Sequence, residues 1–137
     1  MHTEITIGQR AALEHVVTRA DLASTLSEIS GDGFPAVLAT SRMIALMELA
    51  AARLLVPHLQ EGELSVGVGV SIKHLAATLI DAAVTAEAEY LGREGKLYRF
   101  RVLLKDAGGI AGEGEHTRAI VSTERLLAGA QRRNRPA

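Results

Sequence analysis

The sequence predicts an α+β fold in which one antiparallel sheet curls around a single long helix. Three observations support this prediction: an apolar run at residues 39–59, polar and apolar residues that alternate through the last third of the chain, and short glycine-containing turns between the alternating segments. A chain of 137 residues is long enough to bury a core of its own. We expect residues 1–137 to form one domain that ends in a basic tail from about residue 124 to 137.

The apolar run predicts the central helix. Residues 43–56 include only two charged side chains, Glu48 and Arg53, so apolar residues surround nearly the whole helix. Such a helix is buried on most sides. It is too short and too interrupted for a membrane span, which needs ~20 apolar residues. The other elements must therefore cover it.

Two positions of this helix are candidates for chemistry. All neighbours of Glu48 at three and four residues are apolar, and a carboxylate is costly to bury there. Glu48 is therefore either a side chain that reaches solvent at the helix edge or a catalytic carboxylate. Thr40 stands at the start of the helix, where capping is the ordinary role of its residue type.

The segment before the helix predicts a strand and a loop. Residues 9–18 favour a first strand, and Asp21 is placed to cap a short helix after it. Gly31 and Gly33 then make a flexible loop that ends at Phe34. Phe34 is either part of a mobile lid or a core side chain that anchors the start of the central helix.

Residues 65–74 predict a strand with one apolar face that ends in His74. Alternation places Val66, Val68, Val70, Ile72 and His74 on one face and Gly67, Gly69, Ser71 and Lys73 on the other. A single histidine at the end of an apolar face is usually structural. His74 becomes a candidate for catalysis only if Thr40 or Glu48 lies near it.

The last third of the chain predicts a meander of three strands. Residues 82–91, 97–105 and 110–122 alternate, with turns at residues 92–95 and 106–109. Connections this short join antiparallel strands. A sheet of this kind around one long helix is a hot-dog fold. Because such a small sheet leaves its edge strands unpaired, we expect a homodimer.

Composition excludes several classes of function. The net charge of −1 gives no basic surface for nucleic acid, and the absence of cysteine removes disulfides and thiolate metal sites. The five histidines lack a metal-ligand spacing such as HExxH, so we expect no metal. The N-terminus carries an acidic residue and lacks the apolar segment of an export signal. We expect a cytoplasmic protein with neither a nucleic-acid nor a membrane partner.

Three segments together resemble the fluoroacetyl-CoA thioesterase family and its hot-dog relatives. They are FPAVLATSRMIALMELAAARLLVPHLQEGE, SVGVGVSIKHLAAT and GEGEHTRAIV, which fall within about residues 34–122. The shared features are F-P-x-V-x-A-T, a Met-Glu pair in the central helix, a glycine-containing strand that ends in His before Ala-Ala-Thr, and a His-x-Arg on the last strand. The resemblance implies hydrolysis of an acyl-CoA thioester to a free acid and CoA.

The resemblance also implies roles for particular residues. Thr40, Glu48 and His74 would form the catalytic constellation. The substrate would be met by the backbone of Gly67 at the acyl carbonyl, by Arg118 beside the substrate, and by Phe34 as part of a gate. No cofactor is implied beyond the CoA of the substrate, and hot-dog relatives build such sites from two subunits.

The chemistry of these side chains is compatible with that activity. His74 can carry protons near neutral pH, whereas Glu48 could attack the carbonyl, activate water or act together with Thr40. Thr40 and Glu48 lie eight residues apart, which is ~12 Å along a helix. They are therefore not expected to touch within one subunit, and a composite site across a dimer interface would bring such groups together.

The identity of the acyl group and two alternative functions stay open. Residues 30–33 are small and polar, whereas the lid of the fluoroacetyl enzyme is bulkier, so a general short-chain acyl-CoA is the expected substrate. A hot-dog enoyl-CoA hydratase or dehydratase would need an Asp and a His close together, and neither His15 nor His116 has such an Asp in the sequence. A non-catalytic acyl-CoA-binding protein is the second alternative.

Overall fold

The computed structural model describes residues 4–136. Residues 1–3 of the N-terminal segment and residue 137 of the predicted basic tail lie outside the described residues. The elements in chain order are β1 (Arg10–Val16), α1 (Thr40–Leu55), β2 (Glu63–His74), β3 (Ala83–Glu94), β4 (Leu97–Asp106), β5 (Gly109–Ser122) and α2 (Thr123–Arg133). All paired strands are antiparallel, in the order β1-β3-β4-β5-β2, and α1 packs on one face of this sheet. The predicted hot-dog architecture is confirmed.

Helix α1 ends earlier than the sequence predicted. It stops at Leu55 and is followed by a short 3-10 turn, Val56–His58, that contains Pro57. Proline lacks an amide hydrogen and clashes with the preceding helical turn, so the helix cannot continue to residue 59. The buried side chains of α1 face the sheet, whereas Leu49 is 40% exposed. The sequence predicted burial on most sides of α1, whereas within this chain α1 is buried mainly on the side that faces the sheet.

The core lies between α1 and the inner face of β3 and β4. Its largest contribution comes from alternate residues of these two strands: Val84, Ala86, Ala88, Tyr90, Tyr98, Phe100, Val102 and Leu104. The predicted alternation is confirmed there. Strand β3 nevertheless runs on to Glu94 through a register shift between Tyr90 and Gly92. Gly92 has a φ of +118°, which glycine adopts readily, so the predicted turn at residues 92–95 is shorter than expected.

Strand β2 contains a β-bulge between Gly67 and Gly69, and glycines inside a strand often mark such a bulge. Gly67 pairs with Arg118 and Gly69 pairs with Thr117, so Val68 is the extra residue without a partner. An extra residue exchanges the two faces of a strand. The prediction that Gly67 and Val70 lie on opposite faces is therefore wrong. Both lie on the face that carries His74.

The segment between β1 and α1 is held by a buried carboxylate. The predicted short helix is replaced by three short 3-10 turns, Arg19–Asp21, Ala23–Leu26 and Ser30–Asp32. Asp21 accepts hydrogen bonds from the backbone amide and the hydroxyl of Thr18, from Arg42 of α1 and from His15 of β1. Asp21 thus ties β1 and this segment to the first turn of α1.

The charge on Asp21 is stabilised in the folded protein. Burial acts to raise the pKa of its carboxyl group. The hydrogen bonds from Thr18, His15 and Arg42 outweigh burial and hold the pKa well below its usual range.

The predicted tail begins as helix α2. Ser122 caps it by accepting a hydrogen bond from the amide of Arg125 at 3.2 Å, and Arg132 and Arg133 stand in its last turn, where cations suit the helix dipole. Neither α2 nor α1, nor any other helix within residues 4–136, is long and apolar enough to cross a membrane.

Candidate active site

The first candidate cluster lies at the N-terminus of α1. Ala39 is the N-cap residue and makes no side-chain cap, so the expected capping role of Thr40 is wrong. Instead, the hydroxyl oxygen of Thr40 lies 2.7 Å from Nδ1 of His74. The two residues are 34 positions apart in the chain, and the fold brings their side chains into a hydrogen bond.

A glycine allows this approach. His74 ends β2 and pairs with Gly112 of β5. A Cβ atom on Gly112 would collide with the sulfur of Met43 in the first turn of α1. Because Gly112 has no side chain, the start of the helix can lie directly over the strand pair, which places Thr40 beside His74.

The other ring nitrogen of His74 is available for a further contact. Nε2 is buried and has no hydrogen-bond partner among residues 4–136. Leaving a buried polar atom unpaired costs about 1–3 kcal/mol, and such atoms in native proteins usually have a partner. His74 can therefore receive a polar group from a substrate or from a second copy of the chain.

The second candidate cluster surrounds Glu48 in the middle of α1. Oε2 of Glu48 lies 3.0 Å from Nη1 of Arg118 and 3.9 Å from Nε2 of His116. The Glu48 side chain is 41% exposed, whereas those of Arg118 and His116 are 8% and 2% exposed. Gly67 lies against the carboxylate, and a Cβ atom there would collide with Oε2.

Arg118 is held on two sides. Its Nε donates to the hydroxyl of Ser65 at 2.9 Å and its Nη2 donates to the Ser65 carbonyl at 3.0 Å. The guanidinium is therefore fixed in one plane against β2, with Nη1 directed to Glu48. A role for Arg118 beside the substrate stays a prediction.

His116 completes this cluster. Its Nδ1 lies 2.8 Å from the carbonyl oxygen of Gly69, and its Nε2 lies 3.1 Å from Nη1 of Arg118. Burial lowers the pKa of His116 below its usual value, the hydrogen bond to Gly69 acts in the opposite direction, and the nearby charge of Arg118 lowers it further. The imidazole is thus favoured in its neutral form.

The side chain of Glu48 lines a cleft at the edge of the sheet. The cleft has a volume of about 200 Å³ and is lined by Glu48, Gly67, Val68, Gly69, Val70 and His116. Strand β2 is an edge strand, so the cleft faces the side on which another strand can be added. One carboxylate oxygen is held by Arg118, and the cleft gives access to the carboxyl group.

The structure brings some of the predicted site residues together and keeps others apart. Thr40 and His74 form one cluster, and Glu48, Gly67 and Arg118 form the other. Eight residues of α1 separate the two clusters, which corresponds to ~12 Å. This separation agrees with the expectation that Thr40 and Glu48 do not touch in one subunit.

Two members of the second cluster were not assigned from the sequence. His116 shares a strand face with Arg118, and that spacing was a usable signal. Ser65 had no such signal, because the bulge at Val68 changes which residues of β2 face the helix.

Phe34 lies at the surface. It is 48% exposed, and its amide donates to the hydroxyl of Ser27 at 3.4 Å. The alternative in which Phe34 anchors the core is therefore wrong. The preceding Gly33 has a φ of +57°, which glycine adopts readily. A gating role for Phe34 stays a prediction.

The expectation that His15 has no Asp close to it is wrong. His15 does have a nearby aspartate, because its Nε2 lies 2.7 Å from Asp21. Asp21 is only 1% exposed and also binds Thr18 and Arg42, so this pair braces the chain.

No group of three or more potential metal ligands lies together within residues 4–136.

The chain is similar to known thioesterases. The family model described as the fluoroacetyl-CoA-specific thioesterase, FlK, matches residues 17–124. The fluoroacetyl-CoA thioesterase of Streptantibioticus cattleyicolor is 39% identical over 95 residues, which are 69% of this chain and 68% of that protein.

Solved structures show the same relationship. The structure of the fluoroacetyl-CoA thioesterase FlK superposes with a TM-score of 0.91 at 33% identity and covers 98% of this chain and 100% of that one. A thioesterase superfamily member from Thermus thermophilus gives a TM-score of 0.83 at 30% identity, over 94% of this chain and 93% of that one. The family predicted from the sequence is confirmed: the chain belongs to the fluoroacetyl-CoA-specific thioesterase family.

Proposed function

We propose that this thioester hydrolase acts on small acyl-CoA thioesters and that two copies of the chain complete each active site. The observation that carries the proposal is the division of the site. The carboxylate of Glu48 faces a cleft, whereas His74, which has an unpaired buried nitrogen, lies on β2 beside the first turn of the same helix. Thioester hydrolysis needs both kinds of group at one carbonyl.

Glu48 provides the attacking group. Arg118 holds Oε2, and the carboxylate either attacks the thioester carbonyl or removes a proton from a water that attacks it. In the first case the C–S bond breaks to leave an acyl–Glu48 anhydride, which water then hydrolyses to the free acid. Single-turnover hydrolysis in ¹⁸O-labelled water distinguishes the two routes, because only the anhydride route can place label in Glu48.

His74 serves the leaving group. The Thr40 hydroxyl orients the ring through Nδ1, which leaves Nε2 to deliver a proton to the departing thiolate and so release CoA–SH. In the composite site, the backbone amide of Gly67 from one copy and the uncapped N-terminus of α1 from the other would stabilise negative charge on the acyl oxygen.

A homodimer would bring the two clusters together. Strand β2 lies at the sheet edge, and Val68 and Val70 on it are 56% and 45% exposed. In a two-fold antiparallel pairing of β2 with itself, the residue numbers of opposing residues have a constant sum. A pairing centred near Gly69 would place His74 of one copy opposite residue 64 of the other, close to the Glu48 cluster.

The size of the cleft supports a small acyl group. Its volume of about 200 Å³ is below the range of drug-sized pockets, and Phe34 stands on the segment that would close over it. No cofactor is needed beyond the CoA of the substrate. A cytoplasmic location, where cell fractionation would find the protein, is part of the same proposal.

A thiol-release assay over a panel of acyl-CoA thioesters tests the proposal. The panel runs from acetyl- and fluoroacetyl-CoA through butyryl-CoA to palmitoyl-CoA, and kcat/KM should be highest for the shortest members. Binding of acyl-CoA without turnover would instead support a binding protein. Hydration of an enoyl-CoA without thiol release would support a hydratase.

Light scattering tests the assembly. The active protein should have twice the chain mass of 14.5 kDa. Full activity from a species of 14.5 kDa would contradict both the dimer and the composite site.

A further inference from the structure

We infer that His116 is a positioning residue that acts through Arg118, because its buried ring accepts one of the two Nη1 protons and thereby directs the other to Glu48. This inference rests on the proposed function, in which Glu48 is the attacking group. Nothing in the resemblance assigns a role to His116, and its side chain is only 2% exposed.

The tautomer follows from the partners. A carbonyl oxygen can only accept, so the 2.8 Å contact with Gly69 requires a hydrogen on Nδ1 of His116. In the neutral ring Nε2 then carries a lone pair. Nη1 of Arg118, 3.1 Å away, donates to it.

The remaining hydrogen bonds of Arg118 make this contact important. Ser65 takes Nε and one hydrogen of Nη2. Nη1 has two hydrogens, and its two acceptors are Nε2 of His116 at 3.1 Å and Oε2 of Glu48 at 3.0 Å. If His116 stopped accepting, Nη1 would lose one of the two contacts that fix its direction toward the carboxylate.

The charged groups that face the His116 ring fit this role. Glu48 approaches from α1 and Arg118 from the same strand. A proton on Nε2 would point at the guanidinium and would also compete for Oε2 of Glu48, 3.9 Å away. The arrangement therefore works with a neutral ring.

Two substitutions separate the two contacts of His116. The amide of Asn can replace Nδ1 and keep the hydrogen bond to Gly69, whereas the amide oxygen of Gln can replace Nε2 and accept from Arg118. We expect His116→Asn to lower kcat about 10- to 100-fold with little change in KM, as for small misplacements of a reacting group. His116→Gln should recover most of that loss. Activity that survives in Asn but not in Gln would overturn the inference.

A measurement without turnover keeps the inference testable if the variants fold poorly or the parent releases no thiol. Long-range ¹H–¹⁵N NMR of the unsubstituted protein should show a protonated Nδ1 and an unprotonated Nε2 for His116 at neutral pH. A ring with hydrogen on Nε2 would overturn the inference. Absence of thiol release with the expected tautomer would instead contradict the proposed function alone.

Discussion

The two histidines beside α1, His116 and His74, differ in how many of their ring nitrogens are hydrogen-bonded. His116, in the middle of β5, has both ring nitrogens engaged, one by the Gly69 carbonyl and one by Arg118. His74, at the end of β2, has Nδ1 engaged by Thr40 and Nε2 buried without a partner among residues 4–136. Similar rings on neighbouring strands thus differ in what they can still bind.

This difference separates a holding role from a reacting role. A ring whose nitrogens are both satisfied can orient its neighbours but has no free position for a substrate. A ring with one satisfied nitrogen has a fixed orientation and keeps the other nitrogen for chemistry. We therefore expect substitutions of reacting groups to lower kcat more than substitutions that change only how those groups are held.

The largest effects should come from the reacting group of each cluster. Glu48→Gln and His74→Ala should each lower kcat roughly 10²–10⁴-fold without unfolding the protein, because Gln keeps the volume of Glu and His74 lies at a strand end. A thiol-release assay and circular dichroism measure both quantities. Unchanged turnover in folded Glu48→Gln would refute the mechanism.

Mixing these two inactive variants tests whether the clusters meet across a dimer. A hybrid of Glu48→Gln and His74→Ala contains one site with both intact groups and one with neither. Random exchange of subunits should therefore restore about a quarter of the parental sites. Absence of recovery, when native mass spectrometry detects hybrids, would place both groups of each site in one subunit.

A smaller effect should follow from filling the space at Gly67. The added methyl group of Gly67→Ala would collide with Oε2 of Glu48, which is the end of a flexible side chain, so the carboxylate should move away from Arg118 while the fold survives. We expect kcat to fall about 10- to 100-fold. Gly129→Ala is the control, since a Cβ atom there meets only Arg132 at 3.7 Å, and it should match the parent.

Phe34→Ala should change selectivity more than stability. A side chain that is 48% exposed contributes little to the core, so the free energy of unfolding should change by no more than about 0.5 kcal/mol. Loss of the ring should shift the ratio of kcat/KM between acetyl- and butyryl-CoA by roughly tenfold. An unchanged ratio in well-folded protein would exclude the gate.

The smallest effect on turnover should come from Asp21→Asn, which loosens the Thr40 end alone. Loss of the charged acceptor for Arg42 and His15 should cost about 1–3 kcal/mol of stability at neutral pH. Because the folded pKa is depressed, this stabilisation is complete above the ordinary pKa of 3.8 and is lost as the pH falls below it. Urea unfolding should therefore separate parent and variant at pH 7 and bring them closer at pH 3.

A turnover measurement and a control variant complete the test of Asp21. Turnover of folded Asp21→Asn should stay within a few-fold of the parent, since neither reacting group is touched. The exposed Glu28→Gln serves as a control with unchanged stability. A pH-independent difference between Asp21→Asn and the parent would show that the Asp21 charge is not the source of the stabilisation.

Much of the fold was accessible from the sequence because it depends on local patterns. The alternation of β3 and β4, the glycine turn before β5 and the apolar run of α1 each carry their own signal. The end of α1 was misplaced, although Pro57 marks it. The segment at residues 19–38 was predicted less well, since its conformation depends on the contacts of Asp21 with β1 and α1.

Only part of the candidate site could be predicted from the sequence. The motifs indicated Thr40, Glu48 and His74, but no local pattern says that Thr40 binds His74 rather than capping its helix. Arg118 was assigned to the substrate, whereas within the chain it donates to Glu48 and Ser65. These pairings depend on strand register, which a single sequence does not give.

The bulge at Val68 determines which residues of β2 share a face. Side chains of a strand alternate with a period of two, so Gly67 can face α1 together with His74 only because one residue between them is not counted in the pairing. Regular pairing of all residues of β2 would turn one of the two outward, whereas deletion of Val68 would leave an even spacing and keep both facing α1. Whether the number of paired positions between Gly67 and His74 is even or odd therefore decides whether both halves of the site face α1.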